Sequence, residues 1–284
     1  MRHRLRVGKL INPKISVMKA ITCFFALATL AVVTVSPLQG QQPATPDYYQ
    51  TLHYIKVPPS SRTEFEKMIK DVSIKIAETR VNAGEIVSWT LLRAVMPAGS
   101  EARADYLIST LYQGVPPAPL DRGANEALFK KAGLTTSFDE FLAIRDRTSS
   151  LVAAELWRPL SRVGAPKKGH YVVVNQMKAK DAEPYANFEQ TIWRPIAEQI
   201  VKDGGMSGWI FARKQFPSGT DTRYAFYTAD MYPTWAAIFE PWAGATAFAK
   251  VHPGKNFEET FAHLDELRSL AVRELWVVTE RVAK

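Results

Sequence analysis

One cysteine, Cys23, is all the chain has, and it lies in an apolar stretch near the start. Beyond residue 40 there is none, so disulfides, thiolate nucleophiles and cysteine-based metal sites are excluded together. Histidine is also scarce. Beyond residue 40, His53, His170, His252 and His263 fall in separate segments, and no His-x-His or His-x₃-His spacing brings two onto one face for a metal. A Gly-rich phosphate loop and a Gly-x-Ser-x-Gly nucleophile elbow are both missing.

Acidic residues are missing from the first 40 positions, which hold Arg2, Arg4, Arg6, Lys9, Lys14 and Lys19. The uncharged run Ala20–Val35 follows these basic residues, and Ser36-Pro37-Leu38-Gln39-Gly40 comes next as a cleavage region. Basic segment, apolar segment and small-residue site in that order predict a signal peptide over 1–40, with Met18 as an alternative start. The apolar run is shorter than the ~20 residues that span a bilayer, which favours cleavage and export over a permanent anchor. Removing six basic and no acidic residues takes the formal charge from +8 to +2. The basic character therefore belongs mainly to the leader. No basic stripe remains to support a nucleic-acid partner.

What the rest of the chain contains is a repetition. Gly84, Trp89, Arg93, Pro97, Gly99, Arg103 and Tyr112 recur 120 positions later as Gly204, Trp209, Arg213, Pro217, Gly219, Arg223 and Tyr232. Glu155-Leu156-Trp157 recurs as Glu274-Leu275-Trp276, and Arg162-Val163 as Arg281-Val282. His53-Tyr54 and His170-Tyr171 are matched at the start, which places a short insertion in the second copy.

Each copy reads as strand, helix, two strands, helix, strand. Leu52–Val57 and Tyr171–Val174 are the first strands. A helix follows from Ser61-x-x-Glu64, a capping-box spacing, with Phe65, Met68, Ile69, Val72 and Ile76 on one face. Its counterpart begins near Asp181, aligns Tyr185, Phe188, Ile192, Ile196 and Ile200, and should be kinked by Pro195. Two β runs follow in each copy, joined by Pro97-Ala98-Gly99 or Pro217-Ser218-Gly219. Second helices start at Ser137-x-x-Glu140 and Asn256-x-x-Glu259, with Val152 and Ala271 closing their apolar stripes. Last strands cover Leu156–Val163 and Leu275–Val282.

This order is the βαββαβ ferredoxin-like unit, so the predicted fold is α+β: two tandem units, 48–164 and 169–284. A lone unit leaves sheet edges and one sheet face uncovered, and closing two sheets into a common barrel removes both liabilities. On this pattern the chain resembles the dimeric α/β-barrel superfamily, which includes antibiotic-biosynthesis-type monooxygenases, chlorite-dismutase-like haem proteins and small stress-responsive barrels. The resemblance implies an intramolecular pseudo-dimer, for which a monomer suffices. It transfers no catalytic residue.

Residues common to the copies serve first as packing: Trp89 and Trp209 as core aromatics, Trp157 and Trp276 between second helix and sheet. Arg93, Arg213, Arg103 and Arg223 are expected to pair with Glu78, Glu198, Glu155 or Glu274. The differences point to a site. Pro233–Trp242 brings Trp235, Phe239 and Trp242 where the first copy has the aromatic-free segment 113–120. These aromatics are expected to bound a cavity in the second copy for a small apolar or aromatic molecule, with His170 and Arg213 as polar contacts and His263 as an outside candidate. Two readings stay open: a ligand-binding module, or an enzyme that is either cofactor-free and monooxygenase-like or haem-dependent. For haem, His252 or His263 would be the axial residue.

Overall fold

The computed structural model describes residues 47–284 except 221 and 241–243; the leader and Trp242 lie outside the described residues. Eight strands are formed: β1 (Tyr48–Lys56), β2 (Ser88–Met96), β3 (Tyr106–Gln113), β4 (Ser150–Gly164), β5 (Tyr171–Ala179), β6 (Gly208–Phe216), β7 (Phe226–Tyr232) and β8 (Arg268–Ala283). They close into one barrel in the order β1-β3-β2-β8-β5-β7-β6-β4, and every neighbouring pair is antiparallel. The seams between the halves are made by the longest strands. β4 pairs with β1 through its first part and with β6 through its last, and β8 joins β5 to β2 in the same way.

The helices are α1 (Arg62–Met68), α2 (Ile74–Asn82), α3 (Arg122–Lys131), α4 (Phe138–Thr148), α5 (Ala182–Phe188), α6 (Arg194–Lys202), α7 (Gly244–Val251) and α8 (Phe257–Leu267). A π turn joins α1 to α2 at Ile69–Ser73, and another joins α5 to α6 at Glu189–Trp193. The first occurs without a proline, so Pro195 is not what distorts the second. Pro195 sits at the start of α6, where a missing N–H is tolerated.

Side chains alternate between the barrel interior and the helix-covered outside. Leu52, Tyr54, Leu107, Trp157, Val174, Tyr227 and Trp276 share the interior cluster. Trp89 packs outside beneath the helices of the first half, and Trp209 beneath those of the second. Trp157 and Trp276 are thus barrel-lining residues, not the helix-to-sheet packing expected of them.

Other expectations are corrected as well. α3 and α7 are additional helices in stretches that lack a long apolar stripe. β4 and β8 begin right after Ser149 and Leu267, so Val152 and Ala271 belong to strands. Ser61 makes no side-chain cap, whereas Ser137 and Glu140 form the full capping box. The match of His53-Tyr54 with His170-Tyr171 also fails. Tyr49 opposes Tyr112 on β3 and Tyr171 opposes Tyr232 on β7, so Tyr171 corresponds to Tyr49. By the same register His53 corresponds to Asn175 and Tyr54 to Gln176. Among the described residues, no helix is long and apolar enough to cross a membrane.

Candidate functional site

The halves differ in the space between the outer face of the sheet and the helices. In the first half this space is filled by Val57, Phe65, Ile69, Val81, Trp89 and Leu91, with Ile55, Ile108 and Phe141 packed against them. In the second half it holds a cleft of about 460 Å³, walled by Met177, Trp193, Ile200, Met206, Phe261 and Leu264 and carrying polar groups on its inner side. That volume is within the range of small-molecule sites.

Three carboxyl residues line this cleft, Glu189, Asp230 and the exposed Glu240, and the first two are buried from water. Glu189 comes from the π turn, which rotates the helix so that a residue of its apolar side meets the sheet; it is only 4% exposed. Burial pushes its pKa up to about 7, opposed by Tyr185 and Arg268. By strict geometry neither the Tyr185 hydroxyl nor Glu189 Oε2 completes a hydrogen bond, although the hydroxyl stands beside the carboxyl. Asp230, on β7, is pushed up to about 6 by burial, against the pull of Asn175 and Arg273. Its Oδ2 accepts from Asn175 Nδ2 at 2.9 Å, while its buried Oδ1 has no partner. Arg268 and Arg273 from β8 and Tyr232 from β7 complete the polar side.

The register identifies what stands at these places in the first half. Asn175, Asp230 and Arg273 correspond to His53, Thr110 and Ala154, and Tyr185 and Glu189 to Phe65 and Ile69 through the two π turns. One half therefore carries acids, a phenol and guanidinium groups around a void where the other has Phe65, Ile69 and Ala154 beside His53 and Thr110. A buried carboxyl oxygen without a partner, as at Asp230 Oδ1, and a second carboxyl beside the same void are costly to structure alone. They suit proton exchange with a bound molecule, because each titrates close to neutral pH.

The residues expected from the sequence are only partly brought together. Trp235 packs on Tyr171 at 5.4 Å and on Phe239 at 5.1 Å; both are substantially exposed, and neither lines the cleft. Their neighbours Ala237, Ile238 and Glu240 do line it. His170 pairs with Ser207 Oγ at 2.9 Å, and burial lowers its pKa. Arg213 reaches outward to Glu183 at 3.0 Å. Of the carboxylates expected to pair with the shared arginines, Glu155 takes Arg103, at 3.1 Å.

The candidate axial histidines do not fit haem in this cleft. His252 engages the Ile192 carbonyl through Nε2 at 2.9 Å, and His263 lies on the exposed side of α8 beside Glu266. Neither belongs to the cleft wall. No group of three His, Cys, Asp or Glu side chains among the described residues is arranged to hold a metal ion.

No family model matches the chain, and no curated protein sequence is detectably similar. Solved structures are similar in fold. A proposed monooxygenase from Fusobacterium nucleatum has 12% identity and a TM-score of 0.51, over 85% of this chain and 96% of that one. A proposed monooxygenase from Lactobacillus acidophilus has 10% identity and a TM-score of 0.50, over 84% and 97%. The fold is that of the dimeric α/β barrels, with all eight strands of the closed barrel supplied by one chain. At these identities the likeness concerns architecture and not activity.

Proposed function

We propose that this chain binds a small, mainly apolar or aromatic molecule in the second-half cleft, and that Glu189 and Asp230 exchange protons with it. The observation that carries the reading is the pair of buried acids titrating near 7 and near 6 beside a 460 Å³ void, at places where the first half has Ile69 and Thr110. The apolar wall supplies contact area, and the carboxyls orient an O–H or an acidic C–H of the ligand. Isothermal titration with matched hydroxylated and unhydroxylated aromatic compounds, between pH 5 and 8, tests it. Hydroxylated members should bind, and Glu189→Gln should flatten the pH dependence. Filling the cleft with Met206→Trp should abolish binding; unchanged binding in that variant sinks the proposal.

A second reading, cofactor-free oxygenation, is favoured by the same carboxyls, since a base that removes a proton from an aromatic ligand makes it electron-rich toward O₂. Two of the solved structures of similar fold are described as proposed monooxygenases. Oxygen-electrode measurements with a bound ligand separate the two readings: steady O₂ consumption marks an enzyme, and its absence a binding protein.

The same proposal takes the chain as two tandem ferredoxin-like units, 48–164 and 169–284, exported after loss of about the first 40 residues and sufficient as a monomer. Intact mass on protein recovered from the native envelope or medium tests the processing, and retention of Phe24 and Phe25 refutes it.

A further inference from the structure

At one end of the barrel interior, away from the cleft, Arg162 of β4 and Arg281 of β8 face a cavity of about 70 Å³. They occupy corresponding places: Arg162 opposes Ile210 on β6, and Arg281 opposes Thr90 on β2. Guanidinium groups remain charged in proteins and, when removed from water, are ordinarily paired. Here neither has a carboxylate within ion-pair distance among the described residues. Arg281 donates to the Thr90 hydroxyl at 2.9 Å. Arg162 has no such partner, because Ile210 stands where a hydroxyl would be; it rests on the Tyr48 ring at 4.7 Å, and its Nε is buried without an acceptor. Burial and the neighbouring Arg162 both work against the Arg281 charge. Two adjacent cations with open donors and no counter-ion are an anion site.

The cavity behind them defines the anion further. Its wall is mostly aliphatic, including Leu52, Leu92, Leu107, Val174, Ile210 and Met231. Its few polar groups are largely committed to one another: Tyr227 donates to Gln50, and Gln50 donates to Ser109 at 2.6 Å. An inorganic oxyanion would leave this apolar space unused. We infer that the Arg162–Arg281 end of the barrel binds a short-chain organic carboxylate, with its carboxylate between the two guanidinium groups and its alkyl tail inside the barrel. A void of about 70 Å³, roughly twice the share of one water in the liquid, takes a tail of only a few carbons. This site is independent of the cleft and of any activity there.

Isothermal titration of the purified protein with butyrate, acetate, inorganic phosphate and 1-butanol at constant ionic strength tests the inference. Butyrate should bind more tightly than acetate or phosphate, and butanol should not displace it. Arg281→Gln and Arg162→Gln should each weaken butyrate by about tenfold or more, the scale of a lost charge-assisted hydrogen bond. Ala229→Leu, which narrows the cavity and keeps both arginines, should weaken butyrate and spare acetate. Should the glutamine variants fail to fold, Arg162→Lys keeps the charge, loses the fork, and should still weaken butyrate. Equal binding of all three anions, no binding of butyrate, or indifference of butyrate to the arginine and Ala229 substitutions overturns the assignment.

Discussion

Gln176 Nε2 donates to the Tyr54 hydroxyl at 3.3 Å inside the barrel, and the two residues occupy corresponding places on β5 and β1. Around this contact the equivalence of the halves breaks down. Lys214 and Tyr224 on the second-half side answer to Ala94 and Ala104 in the first. They converge on Glu155, whose Oε1 accepts from Lys214 Nζ at 3.1 Å, Arg103 Nη2 at 3.1 Å and the Tyr224 hydroxyl at 2.8 Å. Its Oε2 accepts from the Trp157 indole at 3.1 Å.

Glu155→Ala should therefore be among the most damaging single substitutions. It leaves the Lys214 ammonium, 4% exposed, without its counter-charge, and breaking a buried pair in this way costs about 3–5 kcal/mol. Urea unfolding at pH 7 reads the loss directly. Burial raises the Glu155 pKa, but Lys214, the Tyr224 hydroxyl and Arg103 outweigh it and hold the group below its ordinary value. Its contribution is complete above the unfolded-state pKa and disappears as pH falls through the lower folded value. The wild-type advantage over Glu155→Gln should accordingly shrink in acid.

Glu189 has the opposite sign. Its folded pKa, raised to about 7 by burial, means that its favourable effect is complete below the unfolded carboxyl pKa and is lost as pH rises toward 7. Glu189→Gln should match the wild type near pH 4 and exceed it at pH 8 by roughly 3 kcal/mol, the equivalent of about two and a half pKa units. Melting temperatures at the two pH values test this. A variant less stable than wild type at pH 8 would contradict the buried-acid assignment.

Trp235, 40% exposed and packed on Tyr171 and Phe239, should tolerate truncation. Trp235→Ala is expected to cost no more than about 1.5 kcal/mol and to leave cleft binding intact, because Trp235 does not line the cleft. Calorimetric melting together with ligand titration distinguishes this from a ligand-contacting tryptophan, whose loss would weaken binding at near-normal stability.

Gly208 lies where β6 meets the end of β4. A Cβ there would stand 2.9 Å from Ala165 N, Val163 O and Met231 Sδ, closer than packed atoms allow. Gly208→Ala should cost about 1–3 kcal/mol by overpacking the seam. Gly84→Ala meets no neighbouring atom and is disfavoured only by its φ of +74°, so it should cost less. Parallel denaturation curves rank the two.

The α+β class and the closed barrel were legible because strands, helices and Pro-x-Gly turns recur at a nearly constant offset, and because a sheet with open edges is stabilised by closing on itself. Register was not. A His-Tyr dipeptide in each half suggested one alignment, while the ladders impose another that turns His53 and His170 into unrelated positions. The acids of the cleft were also hard to see, since a glutamate in an amphipathic helix normally marks the solvent side. One signal was present: at the 120-residue offset Glu189 falls on Ile69, a position of the apolar stripe, and a carboxylate there has to be buried. Asp230 falls on Thr110 in the same way, on the strand face shared with Phe226.

In a barrel assembled from two copies of one polypeptide, every substitution is made twice, and a carboxylate suited to one cleft must also be endured by its mate. This barrel is closed by a single chain. Ile69 and Phe65 can keep one side as mechanical support while Glu189 and Tyr185 occupy the related places on the other. The cost of burying acids then falls on half of the molecule, and the other half is free to supply the rigidity that holds them in place.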